Sequence, residues 1–81
     1  MDRQRIARLL VDARGVDGLI GPRMAVTRRE IMREITGERL PISKCGFNTT
    51  RSHLFKAFGV SSEDCIAGKM KALNACMKKY A

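Results

Sequence analysis

The stretch "VTRREIMREITG", Val26 to Gly37, carries both a helix start and a helix stop, and its reading sets the class of the whole chain. Thr27 followed three residues later by Glu30 has the form of a capping box, in which hydroxyl and carboxylate each satisfy a backbone amide at the helix start. Val26 and Ile31 supply the hydrophobic staple around it. Ile31, Met32 and Ile35 recur at helical spacing and predict a buried stripe, while Gly37 provides the left-handed residue that ends a helix. The pattern predicts a helix over 28–36.

Toward the N-terminus, "DRQRIARLLVDAR" (2–14) places Ile6, Leu9, Leu10 and Ala13 on one face, with Asp2 as N-cap and Gly15 as stop. Arg3, Arg5, Arg8 and Arg14 fall on the other face, where a solvated surface explains them. "GVDGLIGPRMA" (15–25) holds three glycines and a proline and reads as a loop.

Toward the C-terminus, Pro41 suits the first position of a short helix, and "PISKC" makes little more than one turn before Gly46. Asn48 or Thr49 is expected to cap a helix that reaches Phe58 and stops at Gly59, burying Leu54, Phe55 and Phe58. Ser61 or Ser62 then caps a long final helix, where Ile66, Met70, Leu73, Met77 and Tyr80 recur at spacings of four and three. That stripe is either core or a dimer seam. No segment alternates with period two, so the expectation is an all-α, single-domain helical bundle of four principal helices over 1–81.

With 44% hydrophobic and 30% charged residues in 81, the composition is that of a globular domain. A domain this small buries only about 60–65% of the surface of its unfolded chain, and a second copy is the usual remedy. A homodimer through Ile66, Met70, Leu73 and Met77 is therefore expected. Sixteen Lys and Arg against eight Asp and Glu give a net charge of +8, which favours polyanionic partners: nucleic acid, an anionic membrane surface or an acidic protein patch.

The three cysteines are odd in number, and charges interrupt the opening "MDRQRIARLL", so no export signal is read and a reducing cytoplasm is expected. The uncharged runs are too short to span a bilayer, so no membrane anchor is expected. Cys45, His53, Cys65 and Cys76 are the conceivable zinc ligands, but they lack paired ligand spacing, and neither metal nor other cofactor is expected. Cys65 and Cys76 read as small apolar fillers on one helix. Catalysis is not expected either: the one histidine has no carboxylate partner nearby, and Gly15, Gly18 and Gly21 do not form a phosphate loop between a strand and a helix.

Charge placement singles out one region. Helix dipoles favour acids at the start and bases at the end. The final helix conforms, with Glu63 and Asp64 at its start and Lys78 and Lys79 at its end. The helix beginning near Thr49 does not, since Arg51 stands in its first turn with no acid, and such an end attracts anions. Arg28 and Arg29 stand similarly after Thr27, partly offset by Glu30. From Arg39 through Ser62 there are four bases, one histidine and no acid. Asn48, Thr49, Thr50, Arg51, Ser52 and His53 are donors and acceptors suited to phosphate oxygens and base edges.

The segment "ISKCGFNTTRSHLFKAFGVS" (42–61) resembles the second helix-turn-helix of AraC-type regulators, in which a short helix ends in a Cys-Gly-Phe-like turn ahead of the recognition helix. The resemblance implies that Gly46 and Phe47 form the turn and that Asn48 to Lys56 open and line the reading helix. A second registration places "FGVS" at the turn and makes the final helix the reader, but Glu63 and Asp64 would then face phosphates.

The function these features imply is a sequence-specific, duplex DNA-binding transcriptional regulator, cytoplasmic and dimeric. Its helix from Asn48 would enter the major groove, with Arg51 on a base and Arg28, Arg29, Lys44 and Lys56 on phosphates. The alternative is a protein-binding inhibitor that turns the same basic face to an acidic partner and blocks a host protein's nucleic-acid site. RNA is a third partner, disfavoured because the four aromatic residues include no tryptophan to form a stacking platform.

Overall fold

The computed structural model describes residues 1–59, and these are helical with no strand among them. Helix α1 spans Arg3–Asp12, α2 spans Ala25–Thr36 and α3 spans Phe47–Ala57. Three short 3-10 turns, Val16–Leu19, Pro22–Met24 and Ile42–Lys44, connect them. The final helix, its stripe at Ile66, Met70, Leu73 and Met77, the second registration and Cys65 and Cys76 lie outside the described residues.

Asp2 caps α1 as expected, its carboxylate accepting the Arg5 N–H at 3.1 Å. The helix stops in a different way from the one Gly15 alone would produce. Arg14 takes the left-handed position at φ 65° and donates its N–H to the Val11 carbonyl at 2.9 Å, while the Gly15 N–H reaches back to the Leu10 carbonyl at 2.7 Å. This is the Schellman pattern, with the left-handed position at Arg14, one residue earlier than Gly15 suggests. The buried face of α1 is Ile6, Ala7 and Leu10, so the stripe turns toward Ala7 and leaves Leu9 and Ala13 half-buried.

The segment 15–25 is not a surface loop. Its first turn drives Val16 and Leu19 fully into the core, a burial worth about 1.5–3 kcal/mol for each such side chain. That turn lies with its backbone directly on the end of α1, where a β-carbon at Gly18 would collide with the Ala13 carbonyl. The second turn runs straight into α2.

This changes the start of α2. The helix begins at Ala25, so Thr27 sits inside the first turn and is not its cap. The preceding turn supplies the geometry in place of a side chain: Met24 donates its N–H to the Gly21 carbonyl at 3.2 Å, and no side-chain cap is present. Val26 is 56% exposed while Ile31 is buried, so the staple does not form either. The stop is as expected, with Gly37 at φ 77° donating to the Arg33 carbonyl at 2.8 Å.

Pro41 caps the Ile42–Lys44 turn from outside, and Gly46 then starts α3 without a side-chain cap. Phe47, expected in a turn, is the first residue of the helix, and Asn48 and Thr49 stand exposed in its first turn. Leu54 and Phe55 are buried and Phe58 is half-buried just beyond the helix, before Gly59 at φ 67°. Helix α2 packs against both α1 and α3. Ile6, Leu10, Val16, Leu19, Ile31, Leu54 and Phe55 form the shared core.

Candidate nucleic-acid interface

The residues expected to contact a polyanion separate into three groups. Arg28 is the clearest departure. Its side chain is buried, and its guanidinium donates through Nε to the Cys45 carbonyl at 2.8 Å and through Nη1 to the carbonyls of Leu19 and of Gly21, the latter at 2.8 Å. Every one of these acceptors is backbone, so the charge is used to tie the 19–21 segment and the turn before α3 to α2. Arg28 is not a surface phosphate contact. Thr50 leaves the set for a similar reason: it is fully buried, and its hydroxyl has no hydrogen-bond partner among the described residues.

The second group forms the outward face of α3. At 3.6 residues per turn, Asn48, Ser52 and Lys56 lie along one line of the helix surface with Thr49 beside them, and all four are exposed. His53 stands at one margin, half-buried, with Nδ1 at 2.8 Å from the Thr49 carbonyl. Arg51 stands at the opposite margin, its guanidinium carbon 5.7 Å from the Phe47 ring centroid and 6.0 Å from that of Phe55. These two ring contacts, one turn before and one turn after, hold the Arg51 head along the helix flank. The face carries no acid, and the first-turn amides of α3 add the positive end of its dipole. α2 also lacks a first-turn acid, so this lack is not peculiar to α3.

The third group lies in the turn before α3 and on α2. Lys44 is exposed in that turn, and Arg29 and Arg33 lie one turn apart on α2. None of these makes an ion pair among the described residues. Arg33 was not among the expected residues, although its position four after Arg29 places it on the same side of the helix. Arg33 and Lys56 also lie in the last turns of their helices, where a base is favoured by the dipole in any event.

The acids are drawn elsewhere. Glu30 and Glu34 both meet Arg5 of α1, with Nη2 to Glu30 and Nε to Glu34 each at 3.3 Å. Both pairs are solvent-exposed and contribute little to stability. Their effect is to hold two carboxylates on the α1 side of α2. Arg3 donates to the Ala57 carbonyl at 3.3 Å and so places a cation at the negative end of α3.

Cys45 is buried, and among the described residues no group of three His, Cys, Asp or Glu is placed to hold a metal ion. No described helix is long and apolar enough to cross a membrane. No family model, curated protein or solved structure matches the chain.

Proposed function

We propose that the chain is a small duplex DNA-binding regulator that sets the outward face of α3 in the major groove. Asn48, Thr49, Ser52 and His53 would meet base edges, while Arg29, Arg33, Lys44, Arg51 and Lys56 would meet phosphates on either side. The observation that carries this reading is the acid-free face from Asn48 to Lys56, together with the pairing of Glu30 and Glu34 with Arg5 of α1. The resemblance of 42–61 to an AraC-type helix-turn-helix supports the same helix as the reader. A dimer would place two such helices about one helical turn of DNA apart.

A protein-binding role is the second reading, and Arg51 favours it. An arginine fixed between two aromatic rings is the kind of rigid, amphipathic anchor found at the centre of protein interfaces.

The deciding measurement is a titration against random duplex DNA at two salt concentrations, followed by selection from a random pool. Nonspecific binding is expected to be micromolar or weaker and steeply salt-dependent, with a preferred site emerging from the pool. Absence of duplex binding at low salt would give the protein-binding reading the lead.

A further inference from the structure

We propose that His53 is a specificity-determining acceptor on α3, selecting a base that offers an amino group in the major groove. The assignment rests on the duplex reading above and adds the chemistry of one contact to it.

The Nδ1 of His53 lies 2.8 Å from the carbonyl oxygen of Thr49, one helical turn earlier. A carbonyl oxygen only accepts, so the proton sits on Nδ1. In the neutral ring the other nitrogen, Nε2, then carries a lone pair and no proton. Nε2 has no hydrogen-bond partner among the described residues and is not sealed from solvent. Its polarity is therefore fixed by the fold before any partner arrives.

That fixed polarity separates His53 from its neighbours. The hydroxyls of Thr49 and Ser52 turn to donate or accept, the Asn48 amide offers both, and Lys56 only donates. An outward lone pair repels a phosphate oxygen, so neutral His53 is excluded from the backbone contacts. In the major groove it meets a match in the amino groups of cytosine N4 and adenine N6, and a mismatch in the O6 of guanine and the O4 of thymine. At one position of the site the reader should thus prefer cytosine or adenine.

The test has two arms on the intact protein, both in a buffer alkaline enough to keep imidazole neutral. Nitrogen-15 NMR of the free protein should show the His53 ring protonated at Nδ1. Pool selection with the parent, His53→Leu and His53→Gln should then give a preference for cytosine or adenine at one position, worth roughly five- to tenfold, that is lost in the leucine variant and narrowed to adenine in the glutamine variant, whose amide both accepts and donates. A ring protonated at Nε2, or a leucine variant that keeps the parent's preference, overturns the assignment. A parent that selects no duplex overturns the duplex reading itself and takes this contact with it, an outcome distinct from the other two.

Discussion

The guanidinium of Arg28 reaches from α2 to the carbonyl of Cys45 at 2.8 Å, one residue before the cap of α3. The same guanidinium holds the carbonyls of Leu19 and Gly21, so two connecting segments converge on one side chain. Replacing it by methionine would leave those carbonyls without their donor in a closed interior. Arg28→Met should destabilise the fold by about 1–3 kcal/mol in denaturant unfolding, and Arg28→Lys should recover only part of that, because one ammonium cannot reproduce the planar fork. A methionine variant that unfolds like the parent would show that these bonds are dispensable.

Thr50 offers the opposite case. Its hydroxyl is buried without a partner among the described residues, so the fold they form carries the desolvation of a polar group and gains no bond from it. Thr50→Val keeps the shape and the β-branching, and should raise stability by about 1 kcal/mol with a higher melting temperature. A drop in stability would mean that the hydroxyl is satisfied by an ordered water.

The Arg5 pairs with Glu30 and Glu34 are exposed and should be weak. Arg5→Ala is expected to cost less than about 1 kcal/mol, whereas Asp2→Ala, which removes the α1 cap, should cost about 1 kcal/mol and persist at high salt. Thermal melts at low and high salt separate the two: only the Arg5 effect should fade as the salt screens it.

Arg51, held along the flank of α3, is expected to act on a phosphate and not on a base. Arg51→Ala and Lys56→Ala should each weaken preferred and random duplexes alike and reduce the slope of log affinity against log salt by about one. Loss confined to the preferred site would return Arg51 to the groove floor.

Much of this was legible in the sequence, and what was missed has a physical reason. The three described helices, the Asp2 cap and the Gly37 stop follow from periodicity and capping chemistry. Arg28 was read by residue type as surface charge, yet with Ile31, Met32 and Ile35 it occupies positions 0, 3, 4 and 7 of one stripe, and that register was the available signal of burial. Thr50 stands likewise between Phe47 and Leu54 on the buried side of α3. The capping box at Thr27 failed because a preceding 3-10 turn can start a helix with backbone alone, which leaves no trace in side-chain type. Arg51 and His53 were read by residue type as contacts for phosphates and base edges, and the opposite margins of α3 on which they stand depend on ring and carbonyl contacts that no spacing rule specifies.

The close seating of Gly18 on the Ala13 carbonyl has a further consequence, in time. The backbone bonds that end α1 and open the following turn, donated by Ala13, Arg14, Gly15 and Gly18, join residues within five positions of each other, so these contacts close with little loop entropy. The links that complete the opposite end are remote: Arg28 to Cys45 spans 17 positions and Arg3 to Ala57 spans 54. The N-terminal unit should therefore form early in folding and α3 should dock late, so that the helix proposed to read DNA is the last of the three to be set in place and the first to be released when the protein begins to open.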